Sequence, residues 1–319
     1  GTKVAKSMRL VEWNVDVLYL LLEKIVIARQ KSRPRASSHG TSGGGRRSRL
    51  SRGSSISDLL RGIATCDDEM EILQSGRTIL EEVTDVIDIP RFDARAARRL
   101  SKDSDGFCVA ATLDSAVRVQ LKEFVLRLTA LYRDVPFHNF EHASHVTMST
   151  VKLMSRIVGP DLKKADDDNV EKSLHDHTYG ITSDPLTQFA CVFAALIHDV
   201  DHIGVPNSQL IKEEATVAAV YRNKSVAEQN SVDLAWDLLM DRNYEELRHC
   251  IYTTESEFKR FRQLVVNSVM ATDIMDKDLK TLRNIRWEKA FSETSQKLDI
   301  YFEDTINRKA TIVIEHLIK

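Results

Sequence analysis

Histidine is crowded into one part of this 319-residue chain: His138, His142, His145, His175, His177, His198 and His202, seven of its ten, fall within residues 138–202. Histidines satisfied singly in a core or on a surface would be spread more evenly, so the crowding points to a place where imidazoles converge. Two short pieces carry it. Residues 137–146 read FHNFEHASHV, and residues 195–204 read ALIHDVDHIG. Imidazole beside carboxylate is the ligand chemistry of zinc and mixed-metal centres, so the rest of the chain has to supply a scaffold that brings the two pieces together.

Composition bounds that scaffold. With 42% hydrophobic residues the chain can build a sizeable core, and only 12 glycines and 6 prolines favour helices. A net charge of −2 excludes a chain-wide basic footprint, and no nucleic-acid partner is expected. The four cysteines, at 66, 108, 191 and 250, form no C-x-x-C pair. Reduced thiols in a cytoplasmic protein, or in the cytoplasmic portion of a membrane-anchored parent, fit that spacing. The most apolar run, 17–22, is broken by Glu23 and Lys24, far short of the roughly 20 apolar residues a membrane span needs. The chain opens on Gly1 and closes in an apolar, uncapped run over 310–319. It therefore reads as a piece of a longer protein, whose upstream part could be a membrane or cyclase domain.

Helical periodicity dominates the chain. Val11, Val15, Leu18, Leu22 and Ile25 mark an amphipathic helix over 8–29, which either packs on its own domain or serves as a coiled-coil connector. Residues 31–57 hold seven Lys or Arg and no acid, among serines and glycines. That composition predicts a flexible basic linker, with anionic lipid or phosphorylation near Arg52–Ser55 as its functional readings. Helices are predicted over 67–88, ending before Pro90, and over 114–132, where Val117, Leu121, Phe124, Val125, Leu128, Leu131 and Tyr132 form one stripe. A loop is predicted over 159–185, and neither its acidic triplet Asp166–Asp168 nor its His175 and His177 is expected to bind catalytic metal. A buried helix follows and ends at His198-Asp199. Residues 207–319 continue as helices with no period-2 strand. The expectation is an all-α fold: an N-terminal helix (1–30), a basic linker (31–57) and a compact multi-helix domain (58–319).

His138 and His142 are four apart and share a face of a helix or helical turn. The zinc-protease pattern H-E-x-x-H needs its glutamate directly after the first histidine, and Asn139 stands there instead. His198 and Asp199 are adjacent; neighbouring side chains diverge on a helix, so both reach one ion most readily at a buried helix end. A carboxylate can bridge two cations and an imidazole cannot. Asp199 is therefore the natural link between a histidine-rich Zn2+ site and a harder Mg2+ or Mn2+ site. Water activated between two such ions attacks phosphorus in line, and His138, if not a ligand, can protonate the leaving oxygen. The reading is a divalent-metal phosphohydrolase.

Residues 137–143, FHNFEHA, resemble the Y-H-N-x-x-H-A signature of the class I 3′,5′-cyclic nucleotide phosphodiesterases, members of the HD-type metal phosphohydrolase superfamily. Residues 198–207, HDVDHIGVPN, match that family's H-D-x-D-H-x-G-x-x-N at every fixed position. Weaker echoes follow in order, at Tyr221 with Ser225–Glu228 and at Met270–Asp273, so the resemblance covers roughly residues 90–319. It implies that His138 is the general acid and that His142, His198 and Asp199 are ligands of the tighter metal. It further implies that His202, Glu228 and Thr272 stand behind the ligands, orienting bound waters and the acid, and that Asn207 is structural.

The chain also departs from the pattern. Phe137 replaces the usual tyrosine, and Gln229-Asn230-Ser231 stand where many members carry N-H-H. The long His142-to-His198 interval marks 159–185 as an insertion. The remaining aspartate ligand and the base-clamping residues of the family follow a helix like 310–318; Asp299 and Asp304 lie upstream of it. The implied function is hydrolysis of cAMP, cGMP or both to the 5′-monophosphate in signal transduction, with this segment alone expected to be inactive or nearly so. Dimerisation stays open. The alternatives are another HD-type phosphohydrolase, lacking the upstream H-N-x-x-H-A in its own superfamily pattern, and a catalytically silent regulatory module.

Overall fold

The computed structural model describes residues 2–32, 78–92, 113–157, 167–292 and 302–318. Among them are twelve α-helices and no strand: α1 (Thr2–Ser32), α2 (Ser115–Leu131), α3 (Phe140–Arg156), α4 (Asp167–His177), α5 (Pro185–Ile197), α6 (Asn207–Lys212), α7 (Thr216–Val220), α8 (Val226–Met240), α9 (Glu245–Ile251), α10 (Glu255–Met270), α11 (Lys277–Phe291) and α12 (Phe302–His316). The all-α expectation is met. Most of the predicted basic linker, the 67–77 part of the predicted 67–88 helix, Cys66, Cys108 and Asp166 lie outside the described residues.

The molecule is built around α5. Asp184 caps it, its carboxylate accepting from the Thr187 amide at 3.0 Å, and Pro185 occupies the first helical position, where a missing N–H leaves nothing unsatisfied. From Phe189 to Ile197 every residue is buried, as an all-round apolar helix must be. α1, α3 and α10 pack on it from different sides. Phe189 and Phe193 stack with ring centroids 6.0 Å apart, and Phe193 also meets Phe124 of α2 at 5.8 Å and Phe261 of α10 at 5.6 Å. Each such buried ring stabilises the fold by roughly 1.5–3 kcal/mol.

The N-terminal helix packs on this core, the first of its two predicted roles. Val11, Val15, Leu18, Leu22 and Ile25 are all buried. At one end Asn14 Nδ2 donates to Ser144 Oγ of α3 at 3.0 Å. At the other, Arg29 donates to the carbonyls of His249, Cys250 and Ile251 and pairs with Glu257 at 3.2 Å. Those carbonyls are the spare acceptors at the end of α9, so one guanidinium closes a helix terminus and joins it to α10.

Two predicted elements differ. Of the helix predicted to run to residue 88, Ile79–Glu82 forms a single 3-10 turn and the chain beyond is irregular. Val83, Thr84, Val86, Ile87 and Ile89 are β-branched and resist helix, and side chains of α10–α12 take over their backbone. Thr84 N–H goes to Asn267 Oδ1 at 3.1 Å, Ile87 N–H to Thr311 Oγ1 at 3.0 Å and Ile89 N–H to Asn307 Oδ1 at 3.3 Å. Arg286, fully buried, donates to the Asp85 and Thr84 carbonyls and pairs with Glu315 at 2.6 Å. The predicted 159–185 loop contains α4, whose end is turned at Gly180. Its φ is +80°, and a Cβ there would lie 2.6 Å from Ile89 Cγ2, so only glycine lets this turn close against the 78–92 segment.

Candidate metal centre

The two histidine-rich pieces meet at the ends of α3 and α5. Asn139 is the cap of α3: its Oδ1 accepts from the His142 amide at 3.0 Å while its Nδ2 donates to the Val135 carbonyl at 2.8 Å. The cap breaks the helix before it reaches His138, so His138 leaves from a bend and His142 from the first turn. They share no helix face, yet both reach the same atom. On the other side α5 stops at Ile197, His198 still has helical angles, and a turn follows in which Val200 N–H bonds the Ile197 carbonyl and His202 N–H the Asp199 carbonyl. Adjacent residues thus converge at a buried helix end, as the spacing predicts.

One carboxylate oxygen collects three imidazoles. Asp199 Oδ2 lies 2.9 Å from His138 Nδ1, 3.2 Å from His198 Nε2 and 3.5 Å from His142 Nε2. His202 stacks on His138, centroids 3.8 Å apart, and its Nδ1 accepts from the Gly204 amide at 3.0 Å. The donor atoms of His142, His198 and Asp199 all lie within 4.8 Å of one another, as do those of His138, Asp199 and His202.

The charge state says what this arrangement accepts. His198 Nδ1 donates to the Ala195 carbonyl at 2.9 Å, so in the neutral ring the Nε2 lone pair faces Asp199 Oδ2. Two lone pairs at that distance repel unless a proton or a cation stands between them. Burial works against a charged His198, but Asp199 outweighs it and raises this imidazole. Burial likewise opposes a charged Asp199, and His198 and His138 outweigh it, holding the carboxyl well below its usual range. His142 and His202 are lowered, chiefly by burial, the direction that favours the neutral ring a metal ligand needs. Two imidazoles and a carboxylate, one imidazole with its outer nitrogen tied to a carbonyl, fit a zinc-type cation.

The remaining predicted residues sit apart from this group. Glu228, in the first turn of α8, accepts from Asn207 Nδ2 at 2.8 Å, and the same amide reaches Asp273 Oδ2 at 3.3 Å. Burial and the Asp273 charge push Glu228 up to about 7. Thr272 donates its hydroxyl to the Val269 carbonyl at 2.7 Å. Two residues of this region escaped the sequence reading. Asp273 directly follows Thr272 in the echo motif and was legible there. Tyr132 was counted only as part of an apolar stripe, but its hydroxyl donates to the Leu196 carbonyl at 2.6 Å; burial holds that phenol protonated. His175 and His177 stand on α4, and His175 bonds Ser183 Oγ at 2.7 Å.

The family model for 3′,5′-cyclic nucleotide phosphodiesterase matches residues 137–319, beginning at the FHNFEHA piece. The chain belongs to this family. The match starts downstream of the residue 90 or so that the motifs had suggested. Among relatives, the cGMP-inhibited 3′,5′-cyclic phosphodiesterase 3A of Homo sapiens is 31% identical over 189 residues, covering 51% of this chain and 16% of that protein. The probable 3′,5′-cyclic-AMP phosphodiesterase pde-4 of Caenorhabditis elegans is 32% identical over 167 residues, covering 52% of this chain and 21% of that protein. The chain thus spans about a fifth or less of the length of these relatives. The phosphodiesterase domain of the RhoPDE fusion protein from the choanoflagellate Salpingoeca rosetta is similar at a TM-score of 0.44, with 19% identity over 78% of this chain and 68% of that one. Among the described residues of this phosphodiesterase-family chain, no helix is long and apolar enough to cross a membrane.

Proposed function

We propose that this chain is part of an enzyme that hydrolyses a 3′,5′-cyclic nucleotide, cAMP, cGMP or both, to the 5′-monophosphate during signalling. The observation that carries the reading is the convergence of His138, His142 and His198 on Asp199 Oδ2 in a chain of this family. His142, His198 and Asp199 would hold the tighter cation, Zn2+, and Asp199, as a carboxylate, would also serve a harder Mg2+ or Mn2+. When bound, the two cations supply Lewis acidity and lower the pKa of the water that attacks phosphorus. His138 is the general acid: its Nδ1 is held on Asp199, which leaves Nε2 to carry the proton that goes to the 3′ oxygen as the P–O bond breaks. His202, stacked on His138, fixes the plane of that ring. Glu228 and Thr272 orient bound water. The partner is a small cyclic nucleotide; an upstream membrane or cyclase domain, and a dimer, remain part of the same reading.

The family resemblance implies a further aspartate ligand for the tighter cation, beside His142, His198 and Asp199, that follows a helix like 310–318. Residues 1–319 alone are accordingly expected to turn over cAMP and cGMP slowly or not at all. The test measures metal content and turnover of both nucleotides for residues 1–319 and for the longer parent, each beside Asp199→Ala and His138→Ala. The reading requires bound zinc and turnover in the parent, metal lost with Asp199→Ala, and rate but not metal lost with His138→Ala. Metal without turnover of either nucleotide would shift the reading to another phosphoester, and no metal would leave a silent helical module.

A further inference from the structure

Tyr132 touches both halves of the histidine site without contributing an atom to it. It is the C-terminal cap of α2, with φ −72° and ψ 135°, so its side chain swings off the helix and runs inward toward α5. Its ring meets Phe140 edge-on, centroids 5.8 Å apart. Phe140 is the first residue of α3 and stands midway between His138 and His142. The Tyr132 hydroxyl donates to the Leu196 carbonyl at 2.6 Å and lies beside the Asp199 backbone N–H.

The backbone explains why a hydroxyl is needed there. Leu196 is the penultimate residue of α5, and its carbonyl is one of the acceptors a helix end leaves over. Val200 N–H, which a continuing helix would have offered it, turns to Ile197 instead at 3.0 Å. The neighbouring spare carbonyl, Ala195, is taken by His198 Nδ1. One phenol thus closes an orphan acceptor just ahead of His198-Asp199, in a place buried from water.

We propose that Tyr132 is a positioning residue for the metal-binding carboxylate: its hydroxyl clamps the Leu196–Asp199 turn while its ring sets that turn against the start of α3. This rests on the metal-site reading above. Without the hydroxyl, the Leu196 carbonyl is buried without a partner, the turn relaxes, and the Asp199 carboxylate loses its aim at His142 and His198.

Tyr132→Phe keeps the ring and removes only the hydroxyl. Three quantities are compared with wild type: hydrogen exchange of peptides covering 197–203 in chelator, Zn2+ affinity by competition with a chelator of known strength, and urea stability. Ile251→Val, a core truncation on α9, serves as a control for general loosening. The expected result is at least tenfold faster exchange confined to 197–203 and Zn2+ binding weaker by about 10–100-fold, the usual effect of losing a partner behind a metal ligand. The control should show neither. Unchanged exchange at 197–203, or an increase spread evenly over the molecule as in Ile251→Val, would overturn the proposal. Local exchange that rises in a protein whose wild type takes up no Zn2+ would sustain the clamp and sink the metal-site reading instead.

Discussion

Two buried carboxylate clusters lie at neighbouring helix ends and resolve the same problem in opposite ways. Around Asp199 a single carboxylate is ringed by imidazoles, and they hold it ionised far below the usual range. At Glu228 and Asp273 two carboxylates share one Asn207 amide, and burial together with the Asp273 charge pushes Glu228 up to about 7. Burial raises both groups to begin with. What differs is the company: imidazoles favour the charge on Asp199, whereas a neighbouring carboxylate disfavours one on Glu228. The first cluster has the donors that could hold a metal ion; the second is tied together through Asn207.

The sharpest way to break the contrast is to make Asp199 neutral. Asp199→Asn keeps the shape but removes the charge that draws three imidazoles inward, so tight Zn2+ binding should fall by more than the ~10–100-fold seen for partners behind a ligand. Competition with a chelator measures it, and near-normal Zn2+ affinity would remove Asp199 from the ligand set. The next largest effect is expected at Asn207. Its amide serves two carboxylates and its Oδ1 accepts from the Ala227 N–H at 2.9 Å, where α8 begins. Asn207→Leu should lower urea stability by about 2–3 kcal/mol, the cost of leaving Glu228 and the Ala227 amide without this partner. A loss below about half a kcal/mol would mean that water replaces the amide.

Much of this was legible in the residues, and the exceptions have a common cause. The apolar stripes of α1 and α2 and the continuous run of α5 predict those helices because their burial follows from local periodicity. The His198-Asp199 pair predicts its own convergence because adjacency forces a helix end. What could not be read depends on partners distant in sequence. The 78–92 segment is shaped by Asn267, Arg286, Asn307 and Thr311, roughly 180–220 residues on, so the helical pattern there was overridden by side chains that no local window contains. Tyr132 looked like one more apolar position because a phenol and a benzyl ring give the same periodicity. Its hydroxyl gains meaning only once Leu196 is beside it.

The Glu228 cluster makes a pH prediction with a definite sign. Its carboxyl rises from 4.5 in the unfolded chain to about 7 in the folded one, so between those values the folded state binds the extra proton. That contribution to stability is fully present below pH 4.5 and is lost as pH rises through about 7. Glu228→Gln mimics the protonated form, with Oε1 accepting from Asn207. In metal-free buffer with chelator, wild type should therefore lose stability relative to Glu228→Gln between pH 5 and pH 7.5, and the glutamine variant should be the more stable at the upper end. Parallel urea midpoints across that range would show that Glu228 is ionised in the fold.

The smallest stability effect is expected at Thr272, next to Asp273, and it separates packing from water handling. The Val269 carbonyl that receives its hydroxyl already accepts the Thr272 backbone N–H at 3.0 Å, so losing the hydroxyl orphans no group. Thr272→Val should cost less than about 1 kcal/mol and leave tight metal binding intact. The donated proton, however, leaves the oxygen's lone pairs free to accept from a water near the site, which valine cannot do. In the longer parent the variant should keep its metal and its KM while kcat falls, by about tenfold if one water is set less well. Unchanged kcat would restrict Thr272 to closing the end of α10. The second cluster would then act through Glu228 alone.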